Sequence, residues 1–177
     1  PVLTPSGIQM MSMNLLLDGE TTPVVWRGPV ISGAVQQFWT DVLWKDLDLL
    51  FIDMPPGTGD VPLTVFQSIP LAGVVIVTTP QELVKMVVEK AVNMAGMMHV
   101  PVLGLVENMS YLTCPDCGKR IEVFGESKAE AIAREYGIPA VSRLPLDADI
   151  AKLADAGRIE DYETDGLQEV YRAVEGA

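Results

Sequence analysis

Short apolar runs and longer amphipathic stretches alternate along most of this chain. Gly73–Thr79 and Val100–Val106 are apolar and rich in β-branched residues, as is typical of strands buried on both faces of a sheet. The stretch between them, Gln81–Met98, repeats apolar residues at helical spacing along one face. Alternation of this kind predicts an α/β fold, with a mostly parallel sheet flanked by helices.

The same patterns predict further elements on either side of this central part. Toward the N-terminus they indicate, in order, extended structure over 8–17 and 24–26, a helix over Val30–Trp44 and a buried strand over Leu47–Ile52. Toward the C-terminus they indicate a helix over 127–136, a strand over 140–144 and helical segments around 147–156 and 165–174. Because no repeat, low-complexity tract or linker interrupts this order, we expect a single domain over residues 1–177.

Charge and hydropathy exclude several classes of partner. The 177 residues include 12 basic and 24 acidic side chains, which gives a formal net charge of −12. Nucleic acids and anionic membranes both favour a basic surface, so we expect neither as a partner. The apolar runs are far shorter than the roughly 20 residues that span a bilayer. Residues 1–17 lack the pattern of a secretory leader, and we therefore expect a cytoplasmic protein.

Polar residues follow three of the predicted strands close to the point where each ends. These residues are Asp53, Thr79 and Asn108. In a parallel sheet such ends meet at one edge, where ligands bind. An aspartate there suits hydrated Mg²⁺, the glycine at Gly57 lets backbone N–H groups approach a phosphate, and an asparagine amide matches the edge of a base. Taken singly, Asp53 with its Pro-Pro-Gly is as consistent with a turn as with a site, while Thr79 is better explained as a strand end and Asn108 as a cap or loop residue.

The two cysteines form a more specific motif. Cys114 and Cys117 lie in the segment Cys-Pro-Asp-Cys-Gly-Lys, a turn that aims two sulfurs at one point. A complete thiolate site needs four ligands, which a twofold axis would supply from two copies of the chain. Such a site suits either zinc or an iron–sulfur cluster. A thioredoxin-like redox pair is less favoured, because glycine and lysine continue a loop where that motif would open a helix.

Several short motifs occur together in a fixed order. They are Trp26-Arg27-Gly28-Pro29, IDMPPGTGD at 52–60, VTTPQ at 77–81, GLVENMS at 104–110, CPDCGK at 114–119 and LPLD at 144–147. In this order they resemble the Mrp-like iron–sulfur cluster carriers, which belong to the deviant Walker A branch of P-loop ATPases related to MinD and ParA. The resemblance covers nearly the whole chain. It implies a MinD-like P-loop NTPase fold with the cysteine turn as an insert at about 110–122.

The resemblance also implies roles around a bound ATP with Mg²⁺. Asp53 would hold the magnesium ion through water, and Gly57 would lie in the switch loop that senses the γ-phosphate. These two form the implied catalytic pair. Asn108 would read the adenine edge, and the other side of the base would be lined by a second loop. The implied cofactor-binding residues are Thr79, Asn108, Pro145 and Asp147.

For the cysteines, the resemblance implies that they hold an iron–sulfur cluster, which the protein carries as its cargo. Cys114 and Cys117 would share a labile four-iron four-sulfur cluster with the same pair of a second chain, so the active form would be a homodimer. The implied role is delivery of the cluster to apo iron–sulfur proteins. The alternative is a MinD- or ParA-like nucleotide switch or dimerisation module whose cysteine pair holds structural zinc.

One element of the family pattern is absent from these residues. The phosphate-binding motif G-x-x-x-x-G-K-[ST] does not occur in the sequence. We therefore expect the chain to be the C-terminal portion of a P-loop NTPase domain, incomplete at its N-terminus. A complete member of the family would hydrolyse ATP. Because the motif's lysine and hydroxyl supply much of the phosphoryl-transfer electrostatics, we expect this chain alone neither to bind ATP tightly nor to hydrolyse it.

Overall fold

The computed structural model describes residues 1–17, 19, 21, 28–81 and 84–177. Two compact units make up these residues, Pro1–Pro70 and Leu71–Ala177. The expectation of a single domain over 1–177 stays a prediction. In the described part of the chain, no helix combines the length and the apolarity that a bilayer crossing requires.

The first unit is mainly helical. Its elements in chain order are β1 (Val2–Leu3), β2 (Gln9–Met10), a 3-10 helix (Met13–Leu16), α1 (Gly28–Thr40) and α2 (Asp60–Ser68). β1 and β2 pair in antiparallel fashion, and α1 packs on α2. Two side-chain hydrogen bonds join the helices: Thr64 Oγ1 donates to Ser32 Oγ at 2.8 Å, and Gln36 Nε2 donates to Ser68 Oγ at 3.0 Å.

Two expectations for the first unit need correction. The run Leu47–Ile52 is not a strand, and Phe51 in it is 73% exposed. A strand requires a neighbour for its backbone hydrogen bonds, and no described residue pairs with this run. An apolar pattern alone cannot supply that neighbour. Of the extended stretch expected over 8–17, only β2 is strand, and the one expected over 24–26 lies outside the described residues.

The second unit carries the sheet. Its strands are β3 (Val74–Thr78), β4 (Val102–Thr113), β5 (Arg120–Ile121) and β6 (Val141–Pro145). Its helices are α3 (Val84–Met97), α4 (Ala129–Tyr136), α5 (Ala148–Asp155) and α6 (Gln168–Glu175), with a 3-10 helix at Ile159–Asp161. β4 lies between β3 and β6 and pairs with both in parallel, while β5 pairs antiparallel with its far end. The expected α/β fold with a largely parallel sheet is confirmed.

Both faces of this sheet are covered by apolar side chains. On one face the core contains Ile76 and Leu105 of the sheet, with Val88 of α3 and Ile132 of α4. On the other face a smaller cluster joins Val106 and Ala140 to Val170 of α6. The alternation of side chains along each strand produces this division, and it explains why residues 74–77 and 102–106 are apolar on both faces.

Candidate functional site

The carboxyl ends of the parallel strands bring one row of side chains into register. Thr78 of β3 pairs with Glu107 of β4, and Glu107 pairs with Arg143 of β6. Thr79 and Asn108 were predicted to bind the cofactor; Thr79 lies just past the end of β3, and Asn108 is the residue after Glu107 in β4. β4 continues to Thr113 and does not end near Val106 as the sequence predicted, so Asn108 lies within a strand and not beyond its carboxyl end.

Asn108 occupies an irregular point of β4. Its Oδ1 accepts a hydrogen bond from the backbone N–H of Met109 at 2.9 Å, and Met109 has a φ of 54°. Between Glu107 and Tyr111 the pairing register shifts, so that β4 advances four residues while β6 advances two. The bulge re-aims the strand at this position, which is a common device beside ligand sites.

Pro145 and Asp147 lie at the end of β6 and just beyond it. Pro145 pairs with Tyr111, and the N–H of Leu146 donates to the Tyr111 carbonyl at 2.7 Å. Asp147 caps α5, accepting a hydrogen bond from the Asp149 N–H at 2.8 Å, and it also accepts one from the Tyr162 hydroxyl at 3.0 Å. Burial, and then this bond to Asp147, raise the pKa of Tyr162 above its ordinary value. Capping gives Asp147 a structural task, and its role toward a base stays a prediction.

The implied catalytic pair lies in the first unit. Asp53 and Gly57 are both exposed and belong to the loop that precedes α2. Gly57 has a φ of 95°, a conformation that side chains with a Cβ rarely adopt, which accounts for a glycine there. Asp53 does not follow a strand, contrary to the sequence-based expectation, because Leu47–Ile52 has no pairing partner among the described residues.

The cysteine turn closes a β-hairpin at the far end of β4. Leu112 pairs with Ile121 and Thr113 with Arg120, and the Cys114 N–H donates to the Lys119 carbonyl at 2.9 Å. The Gly118 N–H donates back to the Cys114 carbonyl at 2.9 Å. We call residues 112–121 the cysteine hairpin. Cys114 is half-buried and Cys117 is exposed, and both are free thiols.

The turn stabilises a thiolate at Cys114. The backbone N–H groups of Cys117 and Asp116, and then the Cys117 thiol, donate to the Cys114 sulfur and lower its pKa below the ordinary value. Burial opposes this effect but does not cancel it. Thiolates are the form that binds metals, and hydrogen bonds to the sulfur are a usual feature of cysteine-ligated clusters. Within the described residues, no group of three or more potential metal-binding side chains occurs.

A buried charged network beside Asn108 was missed by the sequence reasoning. Glu107 is 3% exposed, Ser110 is fully buried, and Arg143 contacts both of them. Arg143 also reaches Glu122, just past β5. The sequence did contain a signal for this network: Glu107 follows directly on the apolar residues of β4. Buried carboxylates are almost always paired, so a cationic partner could have been expected.

A shallow cavity of about 500 Å³ opens next to the cysteine hairpin. Its lining includes Tyr111, Arg120 and Arg143, together with the carboxylates Glu163 and Asp165. The Arg120 guanidinium stacks over the Tyr111 ring at 4.3 Å from its centre, which ties the return strand of the hairpin to β4. Pro145 is the predicted base-lining residue that borders this cavity.

A parallel sheet with helices on both faces, polar strand ends gathered at one edge and a cysteine hairpin on the central strand define a protein of the P-loop NTPase fold. The chain belongs to the family described as ParA: NUBPL iron-transfer P-loop NTPase, whose model matches residues 1–176. The family resemblance and the fold predicted from the sequence are thereby confirmed.

Individual relatives agree with this assignment. The chain is 46% identical over 162 residues to an iron–sulfur cluster carrier protein of Clostridium perfringens, covering 92% of this chain and 57% of the relative. It is 47% identical over 158 residues to one of Methanocaldococcus jannaschii, covering 89% and 54%. The chain thus spans about half the length of the curated relatives it matches.

A solved structure is similar as well. A nucleotide-binding protein of Archaeoglobus fulgidus, determined in complex with ADP and with cobalt found by PIXE, superposes with a TM-score of 0.82 at 48% identity. The match covers 95% of this chain and 65% of that one.

Proposed function

We propose that this protein is a nucleotide-dependent carrier of iron–sulfur clusters, in which the cysteine hairpin holds the cargo. The observation that carries the proposal is the cysteine hairpin, which presents two free thiols from one turn and lowers the pKa of Cys114 through the backbone N–H groups of Cys117 and Asp116. The iron–sulfur carrier names of the relatives support the same role.

The two thiols of the hairpin suit an iron–sulfur cluster that is bound reversibly. Each chain offers two thiols in the hairpin, so a four-iron four-sulfur cluster would take two thiolates from each of two chains, which makes the carrier a homodimer. Cys117 is exposed, so a thiolate of an apo iron–sulfur protein can approach the cluster from solvent. Free thiols at this spacing persist in a reducing compartment, which favours the cytoplasm.

Nucleotide is the proposed regulator of the cargo. In this proposal Asp53 holds Mg²⁺ through water and Gly57 contacts the γ-phosphate, while Thr79, Asn108, Pro145 and Asp147 surround the base. Oxygen donors and a carboxamide are the right chemistry for these tasks. The ADP complex of the Archaeoglobus fulgidus relative supports nucleotide binding in the family.

We also propose that residues 1–177 alone do not turn over ATP, because the sequence contains no G-x-x-x-x-G-K-[ST] motif. The test is release of inorganic phosphate from MgATP by the isolated chain, with ADP binding measured in parallel by calorimetry. We expect background phosphate release. Turnover that depends on Asp53 and disappears in Asp53→Asn would overturn this proposal.

Anaerobic reconstitution with ferrous iron and sulfide tests the carrier role. We expect a brown protein with about two irons and two sulfides per chain, sedimenting as a dimer. The Cys114→Ala, Cys117→Ala double variant should bind neither. Asp116→Asn is the matched control, because it keeps the backbone N–H that donates to Cys114 and should load like the wild type. Equal loading of the double variant would refute the cargo site.

Metal analysis of protein purified without oxygen separates the two candidate cargoes. Tightly held zinc that supports dimerisation and is not displaced during reconstitution would favour the alternative, a nucleotide switch with a structural metal. Transfer of the loaded cluster to an apo-ferredoxin, with recovery of the ferredoxin spectrum, would support the carrier.

A further inference from the structure

Arg143 lies between the Asn108 turn and the cysteine hairpin. Its Nε donates to Ser110 Oγ at 2.8 Å and lies 3.6 Å from Glu107 Oε2. The Ser110 hydroxyl in turn donates to Glu107 Oε2. These bonds form a closed set, in which one hydroxyl accepts from the guanidinium and donates to the carboxylate.

The two residues that hold Arg143 flank the turn. Glu107 and Ser110 enclose Asn108 and Met109, and the positive φ of Met109 lies in the same bulge. Any change in the shape of this turn alters the spacing between Glu107 and Ser110. Because Glu107 is 3% exposed, its carboxylate cannot exchange the guanidinium for water, and Arg143 must follow it.

The other end of the same guanidinium reaches the hairpin. Nη2 of Arg143 donates to Glu122 Oε1 at 3.3 Å, and Glu122 directly follows β5, the return strand of the hairpin. The Glu122 side chain is 41% exposed, so solvent competes for this bond and it is readily made or broken. The inner contacts are thus fixed and the outer contact is adjustable.

We infer that Arg143 is a positioning residue that links the conformation of the Asn108 turn to that of the cysteine hairpin. The inference rests on the proposed function, in which Asn108 meets the nucleotide and the hairpin holds the cargo. A ligand that reshapes the turn shifts Arg143, and the Arg143–Glu122 bond passes this shift to the strand that closes around the cysteines. The two-state element is the Glu122 carboxylate, either paired with Arg143 or released to solvent.

The link can be tested without nucleotide or cluster. Amide hydrogen exchange of residues 112–121 and the alkylation rate of Cys117 by iodoacetamide report on the hairpin in the apo-protein. In Glu122→Gln we expect both rates to rise about threefold, as suits a weak exposed ion pair. Glu130→Gln, an exposed carboxylate of α4, is the matched control and should leave both rates unchanged.

A double-mutant cycle separates positioning from plain stabilisation. Asn108→Ala should raise amide exchange of the hairpin about threefold in the wild-type background. It should have no further effect in Glu122→Gln, because that variant already lacks the Arg143–Glu122 bond that transmits the change. Arg143→Lys, which keeps the charge and loses the fork, should likewise remove the effect of Asn108→Ala. Additive effects of Asn108→Ala and Glu122→Gln would overturn the inference.

The outcome for the carrier is measured separately. In reconstituted protein, Glu122→Gln should load the same amount of iron and lose its cluster to a chelator about threefold faster. If the wild type does not load, the proposed function fails, while the exchange and alkylation cycle still decides on the link. If the wild type loads and the cycle is additive, the link fails and the carrier role stands.

Discussion

α6 packs tightly against the sheet at Gly104, and this contact yields a quantitative prediction. Gly104 lies near the start of β4, under Val170 of α6, which is 6% exposed. A methyl group at position 104 would lie 2.9 Å from Val170 Cγ2 and 3.0 Å from Cγ1. Carbon atoms in proteins pack at about 3.5–4.0 Å, so Gly104→Ala forces α6 outward by roughly 0.5–1 Å.

Two opposing effects set the magnitude. Overpacking of this kind costs about 1–3 kcal/mol. Replacing glycine by alanine also restricts the unfolded chain, which contributes about 0.4–1 kcal/mol of stability where the backbone permits it. Steric strain is the larger effect, and we expect Gly104→Ala to lower the free energy of unfolding by about 1–2 kcal/mol. Val170→Ala removes two buried methyl groups and leaves a void, which should cost about 2–3 kcal/mol.

Urea unfolding followed by circular dichroism measures these differences. The decisive variant is Gly104→Ala combined with Val170→Ala, where the new methyl group occupies the vacated space and the cost should be about 2 kcal/mol below the sum of the single variants. Gly96→Ala is the matched control: the site lies in α3 with nothing within 4 Å of the added methyl, and the change should stabilise by about 0.5–1 kcal/mol. If Gly104→Ala stabilises like the control, or if the double variant is additive, the packing argument is wrong.

Two predictions concern ionisation. Cys117→Ser keeps the backbone N–H group that donates to Cys114. In this variant, alkylation of Cys114 should show a pH midpoint below that of an ordinary thiol, because the lowered pKa keeps the thiolate populated as the pH falls. A midpoint at or above the ordinary value would contradict the turn geometry. The hydrogen bond to Glu89 raises the pKa of Tyr136 to about 12. Stability from this bond is therefore present below the ordinary tyrosine pKa and is lost as the pH rises toward about 12. Ultraviolet titration should show Tyr136 among the late-ionising tyrosines, together with Tyr162 and Tyr171, and Glu89→Gln should shift the Tyr136 transition alone back toward the ordinary range.

Local patterns were sufficient to predict most helices and strands of the second unit, but not β5, the 3-10 helix or the part of β4 beyond Val106. The runs that became β3 and the first half of β4 are apolar and bounded by turn residues, and the helical stripes that follow place α3 and α4 on the sheet. The order of strands and helices then implied parallel pairing. The position of Thr79 just past the end of β3 was predicted in this way, whereas Asn108 was expected beyond a strand end and lies inside β4.

Properties that depend on distant partners could not be predicted. Leu47–Ile52 has the composition of a buried strand, yet strand formation depends on a neighbour that the run itself does not encode. Arg143 is 36 residues from Glu107 in sequence. Only the parallel register of β4 with β6 places them side by side, and the bulge that follows Glu107 has no signal in the hydrophobic pattern.

The proposed nucleotide and cargo sites are joined by one continuous strand, and this limits how they can communicate. Asn108 and Cys114 lie six positions apart on β4 and its turn, a span of at most about 20 Å at the usual rise of a strand. The β4 backbone is hydrogen-bonded to β6 at Tyr111 and to β5 at Leu112, so it cannot slide within the sheet. What can change is the bulge at 108–110 and the contacts that cross it. Arg143 spans that bulge, and for this reason loss of the Arg143–Glu122 bond should uncouple the two sites while leaving each of them intact.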